Sequence, residues 1–138
     1  MNVIAVVAAW ALTVFVSLVF FKAGRFKLTA PIETLVAAGM AWAKQIPSAL
    51  VRTIALLEIL GVVGIVLAPI ASEFLGFAWA QAWGVAAAAG LTLTMVVAAI
   101  MHIVRGEFKY TYKINLQVIA AGAALVALLA AFGQPLFV

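Results

Sequence analysis

The sequence predicts an all-α integral membrane protein, folded as an up-down four-helix bundle with antiparallel neighbours and a short interfacial helix between the first two spans. The chain has 138 residues, of which 69% are hydrophobic and only 9% are charged. Its mean hydropathy is +1.31, so a water-soluble domain would lack the polar side chains that its surface requires. The lipid bilayer is therefore the expected solvent.

Four apolar runs are each long enough to cross a bilayer, since a spanning helix needs about 20 mostly apolar residues. They cover residues 3–21, 49–69, 82–104 and 114–133. Their connections are short, which makes consecutive helices antiparallel neighbours. These runs predict a single four-span domain over residues 1–138 with no soluble module.

The basic residues predict the orientation of the chain. All eight flank or lie within two connections, the first and the third: Lys22, Arg25, Lys27, Lys44, Arg52, Arg105, Lys109 and Lys113. Lys and Arg are retained on the cytoplasmic side during insertion, so both termini are predicted outside the cytoplasm. The net charge of +4 then serves topology and contact with anionic lipid, and no nucleic-acid partner is expected.

The first connection, residues 31–46, has the pattern of a helix lying on the inner membrane surface. Pro31 suits a first helical position, and apolar residues recur along one face, with Glu33 and Lys44 elsewhere. Such an amphipathic segment favours the interface between headgroups and hydrocarbon.

Several kinds of chemistry are excluded by what the chain lacks. It has no cysteine and one histidine, so disulfides, thiolate metal sites and a bis-histidine haem within one copy are ruled out. No pairing of nucleophile with base and no metal-ligand cluster is recognisable, so we expect no metal and no catalysis by the isolated chain. A subunit of a membrane oxidoreductase complex, with a bound quinone as cofactor, stays open.

Charged residues inside the apolar runs are the candidate site. Glu58 follows Arg52 by six residues, which places it about 9 Å deeper in the membrane at about 1.5 Å per residue. A carboxylate at that depth should face the bundle interior and be paired. His102 lies in the antiparallel third span at about the same depth as Glu58. Arg105 shares the helix face of His102, and Glu107 lies in the turn below. We therefore predict a polar cluster of these groups, with a bond between Glu58 and His102.

Two interpretations of this cluster stay open. Glu58 and His102 either satisfy each other and lock the bundle, or line an inward-facing cavity that binds a ligand. Three further residues are secondary candidates. Lys27 would be the charge of a lid, Arg52 is a cation at the entrance of the second span, and Asn115 is a polar contact in the fourth span.

The order of these motifs resembles the DoxX-like family of small four-span bacterial membrane proteins. The first span closes in FFKAGRFKL, the second contains RTIALLEILGVVGIVLAP, and the third ends in AAIMHIVRGE. The matching positions are Gly24, Lys27, Leu28, Arg52, Glu58, Gly61, Gly64, His102, Arg105, Gly106 and Glu107. The resemblance covers nearly the whole chain and implies a multi-pass protein of the bacterial inner membrane.

The resemblance also implies a class of function. Relatives include the small membrane subunit of thiosulfate:quinone oxidoreductase and proteins proposed to join oxidoreductases in thiol and oxidative-stress defence. We therefore expect a membrane subunit or a binder of a small amphipathic, quinone-like ligand, with an oxidoreductase as candidate partner and a homo-oligomer left open. The chain has no cysteine, which puts direct thiol exchange out of reach.

Two alternative functions are weighed against this one. A small proton-coupled transporter has a similar length and four spans, but such transporters carry their carboxylate in the first span, where this chain has no acid. A ligand-free scaffold would instead dock a soluble partner on its cytoplasmic connections.

Overall fold

The structure, a computed structural model, describes residues 2–133. These residues form helices joined by short connections, with no strand among them. The α-helices are α1 (Val3–Thr29), α2 (Ile32–Ala37), α3 (Ser48–Leu75), α4 (Ala80–Val104) and α5 (Phe108–Phe132), and Ala41–Lys44 is a 3-10 helix. The predicted domain over residues 1–138 includes positions 1 and 134–138, which lie outside the described residues.

The four long helices form a closed ring in which each packs against two others, in the order α1, α3, α4, α5 and back to α1. Each is long and apolar enough to cross a membrane. The predicted all-α four-helix bundle is confirmed. At one end of the bundle α1 and α4 finish and α3 and α5 begin; we call it the basic end, because all the Lys and Arg residues lie in that part of the chain.

Apolar side chains fill the bundle and also cover its outside. The buried cluster at the centre draws on all four long helices and consists of Ala9, Val16, Phe20, Val62, Ile65, Ala88, Leu91, Val118, Ala121, Leu125 and Leu129. Large apolar side chains such as Leu18, Leu57 and Val97 are exposed on the outer faces. An apolar surface on every side suits a bundle surrounded by lipid.

Small residues allow the long helices to approach closely, as expected for membrane helices that lack a hydrophobic drive toward one another. A Cβ atom added to Gly61 would collide with Leu91, and one added to Gly122 would overlap the hydroxyl of Thr92. Gly90, in contrast, faces open space. Close packing through small residues therefore occurs at specific glycines and not at all of them.

The connection over residues 31–46 differs from the single surface helix that its pattern predicts. The helix α2 has only six residues, and Gly39 interrupts it with a left-handed φ of 96° before the 3-10 helix begins. Leu35 and Ala43 are buried in a cluster with Val51 of α3. The connection therefore packs onto the basic end of the bundle, where burial removes these apolar side chains from the water at the membrane surface.

Three long helices extend well beyond the predicted spans, and one of them, α5, begins at Phe108 instead of residue 114. The first apolar run was expected to end at residue 21, but α1 continues to Thr29 and carries Lys22 and Lys27 within it. Lys favours helices and can lay its aliphatic stem along an apolar surface. Similarly, α3 continues through Pro69 to Leu75. The extension of α1 places Lys27 against the bundle and so determines which residues form the site.

Candidate functional site

Lys27 of α1 and Glu58 of α3 form a buried ion pair at the basic end. Their exposed fractions are 7% and 5%. The Lys27 Nζ atom donates a hydrogen bond to Oε1 of Glu58 at 2.6 Å. Nζ is also 2.6 Å from Oε2, which is buried. The ammonium therefore lies against both carboxylate oxygens, each of which has a further lone pair.

Gly24 brings the two helices close enough for this pair. A Cβ atom on Gly24 would lie 3.1 Å from the carbonyl oxygen of Ala55 and 3.5 Å from the Cβ of Glu58. Residues three apart share a helix face, so the side of α1 that contacts α3 at Gly24 also presents Lys27. The sequence spacing GxxK thus sets the position of the cation over the acid.

Arg52 supports the same corner of the bundle through the backbone. Its guanidinium donates a hydrogen bond to the carbonyl oxygen of Lys27. The last carbonyl groups of a helix have no partner within that helix, so Arg52 satisfies one at the end of α1. Arg52 is therefore a positioning group for Lys27, while the Glu58 carboxylate bonds the Lys27 side chain.

A second polar cluster forms where α4 turns into α5. Gly106 takes a left-handed φ of 70°, its amide donates to the carbonyl of Ile103 at 3.0 Å, and the Glu107 amide donates to that of His102 at 2.8 Å. These two bonds are the Schellman arrangement that ends a helix at glycine. The turn carries the Glu107 side chain back beside the last turn of α4, where it meets His102.

The Glu107 carboxylate joins two side chains of α4. Oε2 lies 3.1 Å from Nδ1 of His102, and Oε1 accepts a hydrogen bond from Nε of Arg105 at 3.0 Å. These contacts, of which the one with His102 has the largest effect, hold the pKa of Glu107 below its ordinary value. The carboxylate is therefore ionised near neutral pH. Arg105 also donates to Oε1 of Gln45 at 2.7 Å, which ties the first connection to the end of α4.

The predicted bond between Glu58 and His102 does not form among the described residues. Glu58 pairs with Lys27, and His102 pairs with Glu107. Both α1 and α4 pack on α3, so the local geometry decides: the close approach at Gly24 brings Lys27 to Glu58, and the turn at Gly106 provides His102 with a carboxylate five residues away. The expected cluster is thus divided into two clusters.

Two cavities nevertheless bring these groups together. The larger, which we call the groove, lies between α3 and α4 and has a volume of about 710 Å³. The smaller, which we call the interior cavity, lies among α1, α4, α5 and the first connection and has a volume of about 270 Å³. Both are lined by Lys27 and Glu58, so they adjoin at the ion pair; Arg105 lines the groove and His102 lines the interior cavity.

Asn115 contributes to the interior cavity from α5. It is 3% exposed, and its amide nitrogen donates to the Thr111 hydroxyl at 3.1 Å. Asn115, one of the secondary candidates, lines the cavity together with Thr111. Two cavity residues were missed in the sequence: Thr111, and Trp42, which lines both cavities from the first connection. Thr111 could have been found from its spacing, because a residue four positions before Asn115 lies on the same helix face.

The ion pair and the walls around it have the chemistry of an organic-ligand site. Within residues 2–133 no three His, Asp or Glu side chains come together as a metal site. What the arrangement offers is an ammonium, a carboxylate, and apolar walls on either side. These groups can hold the polar head of a molecule whose remainder is apolar.

Comparison with known proteins agrees with the fold and the motifs. A family model described as DoxX-like family matches residues 11–133. No curated protein and no solved structure matches the chain. The family match covers both polar clusters and the greater part of all four long helices, each apolar and long enough to span a membrane. The chain therefore belongs to the DoxX-like family and is an integral, multi-pass membrane protein.

Proposed function

We propose that this protein binds a small amphipathic molecule of the quinone type in the groove between α3 and α4. One observation carries the proposal: a mainly apolar groove of about 710 Å³ ends at the buried pair of Lys27 and Glu58. Ligand sites commonly measure about 300 to 1,000 Å³ and combine apolar walls with a few polar groups. The groove has that size and that distribution of chemistry.

The walls of the groove support entry from the lipid. Leu57, Leu93 and Val97 line it and are exposed on the outer faces of their helices. A molecule dissolved in the bilayer would therefore reach the groove sideways, without passing through water. Its apolar tail would remain against α3 and α4, in surroundings similar to lipid.

The ion pair supports binding of a polar head. The Lys27 ammonium can donate to a carbonyl oxygen, and Oε2 of Glu58 can accept from a hydroxyl. Ionisable residues inside membrane helices usually mark functional sites, because placing them there is costly. Both the carbonyl groups of a quinone and the hydroxyl groups of its reduced form would find a partner at this pair.

The wider role that we propose is that of a membrane subunit for an oxidoreductase in redox or oxidative-stress systems. Two properties support it: membership of the DoxX-like family and a groove suited to a lipid-soluble redox carrier. The chain has no cysteine, so its own side chains offer no thiol for electron exchange. The bound ligand would connect the partner enzyme with the membrane.

The test is to obstruct the groove at a lipid-facing position, where the fold tolerates a larger side chain. Val97 lines the groove and is 59% exposed, whereas Ile100, on the same helix, is 55% exposed and lies outside the groove. We expect Val97→Phe to weaken binding of a decyl-substituted benzoquinone by about tenfold, or about 1.4 kcal/mol, and Ile100→Phe to leave it unchanged. Saturable quenching of tryptophan fluorescence in lipid nanodiscs measures the binding, since Trp42 lines the groove.

Two outcomes of this experiment oppose the proposal. Equal binding by wild type, Val97→Phe and Ile100→Phe would move the ligand away from the groove. The absence of any saturable quenching in the wild type would favour the ligand-free scaffold instead.

We also propose that the basic end faces the cytoplasm of a bacterial cell and that both termini lie outside it. All eight Lys and Arg residues belong to that end, and such residues stay on the cytoplasmic side during insertion. The chain has no cysteine, so a single introduced thiol reports one position. A membrane-impermeant maleimide should label Glu73→Cys in spheroplasts and label Lys109→Cys only after lysis; the reverse pattern would invert the orientation.

A further inference from the structure

The interior cavity contains polar atoms that the protein itself leaves unused. Asn115 is 3% exposed, and its Oδ1 atom accepts no hydrogen bond from residues 2–133. The Thr111 hydroxyl accepts from Asn115, and its own proton has no acceptor among these residues. The Nε2 atom of His102 is likewise without a partner there, because the bond to Glu107 uses Nδ1. Asn115 is buried and His102 and Thr111 are partly buried, so these atoms are free to form hydrogen bonds with a molecule in the cavity.

These unused atoms surround one space next to the ion pair. His102 and Asn115 line the interior cavity together with Thr111, and Lys27 and Glu58 line both it and the groove. A ligand that lies in the groove with its head toward the pair therefore has a second compartment directly beyond it. That compartment is more polar in its lining than the lipid-exposed walls of the groove.

The volume of the interior cavity limits what it can hold. An apolar cavity of about 150 Å³ accommodates benzene, and the interior cavity measures about 270 Å³. It therefore has room for one six-membered ring with small substituents, and too little room for a fused ring system with a chain. The chain must remain in the groove.

We propose that the interior cavity is the headgroup compartment of the ligand site and that it selects a single ring which both donates and accepts hydrogen bonds. Oδ1 of Asn115 and Oε2 of Glu58 would accept from ring hydroxyls, while the Thr111 hydroxyl and the Lys27 ammonium would donate to ring oxygens. This inference rests on the proposed function, because the groove must hold the tail. It adds the chemistry of the head and the residues that recognise it.

A pair of probes separates the headgroup compartment from the groove. Dodecylresorcinol and dodecylbenzene share the ring and the chain and differ only in two hydroxyl groups. Native mass spectrometry of the protein released from detergent micelles measures binding of each. We expect the wild type to bind dodecylresorcinol about tenfold more tightly, the order of magnitude that a net gain of one or two hydrogen bonds produces.

Three variants then test the residues. Asn115→Leu and Thr111→Val remove polar atoms with little change of shape, and each should lower the affinity for dodecylresorcinol several-fold while leaving that for dodecylbenzene unchanged. Gln117→Leu is the matched control, since Gln117 is exposed on the same helix, and it should change neither. Thr111 is only partly buried, so Thr111→Val tests the proposal even if Asn115→Leu fails to fold.

The outcomes distinguish the two proposals. If the wild type shows no preference between the probes, or if Asn115→Leu and Thr111→Val keep the full preference, the headgroup compartment is refuted while the groove stands. If the wild type binds neither probe, the groove itself is refuted as a ligand site, and the headgroup compartment with it.

Discussion

Replacing Lys27 with methionine is expected to lower the free energy of unfolding by about 3 to 5 kcal/mol, because the substitution leaves the Glu58 carboxylate buried without its counter-ion. Glu58 is 5% exposed, and Lys27 provides its one hydrogen bond among the described residues. Equilibrium unfolding in mixed detergent and sodium dodecyl sulfate micelles, followed by circular dichroism, measures the loss.

The double variant Lys27→Met, Glu58→Leu should recover most of that stability. Replacing both members of a buried ion pair by apolar residues of similar size is commonly neutral, or stabilising by about 1 to 4 kcal/mol. Lys22→Met is the matched control, because Lys22 lies on the same helix and is exposed. A double variant as unstable as the sum of its single variants would show that the two side chains do not interact.

Replacing Gly122 with alanine is expected to lower the free energy of unfolding by about 1 to 3 kcal/mol, the usual cost of overpacking. The added methyl group would overlap the Thr92 hydroxyl, and the Thr92 Cβ atom would lie 3.2 Å from it. That hydroxyl donates to the carbonyl of Ala88 at 2.8 Å, so it cannot turn away without losing its bond. The α4 and α5 helices must then separate.

Two comparisons check this prediction in the same unfolding assay. Gly90→Ala should be neutral or slightly stabilising, because the space beside Gly90 is open and alanine favours helix over glycine by about 1 kcal/mol. Adding Thr92→Ala to Gly122→Ala should restore stability by removing the overlapping atoms. Equal stability of Gly90→Ala and Gly122→Ala would contradict close packing of α4 on α5.

The fold could be predicted from the sequence because the bilayer imposes few solutions. Apolar runs of the required length must be helices, since every backbone polar group has to be satisfied internally. The short connections between these runs predicted that consecutive helices are antiparallel. The lengths of the helices are harder to predict, because charged residues such as Lys22 and Lys27 normally indicate the start of a connection, whereas here they continue α1.

The pairing within the site depended on those lengths. With α1 ending at residue 21, Lys27 would lie in a connection, and His102 would be the nearest group for Glu58. Once α1 reaches Thr29, the cation lies within the bundle and Gly24 carries it to α3. The order of the helices does not decide the pairing, because α3 packs on both α1 and α4; the length of α1 does.

The cavities could not be predicted from local patterns. They arise where residues from several helices and the first connection leave space, as at Trp42, Thr94 and Met101, which line both cavities. Each of these residues is unremarkable in its own segment. The sequence could predict the polar residues of the site, since every candidate residue belongs to one of the two clusters or to a cavity wall.

The central claim is that the pair of Lys27 and Glu58 holds a ligand as well as joining α1 to α3. The most direct measurement is therefore binding of the decyl-substituted benzoquinone to the double variant Lys27→Met, Glu58→Leu in nanodiscs. The account predicts a folded protein of near wild-type stability whose affinity is lower by about tenfold or more, because the polar partners of the head are gone. A double variant that binds as tightly as the wild type would contradict the claim and reduce the pair to a structural contact.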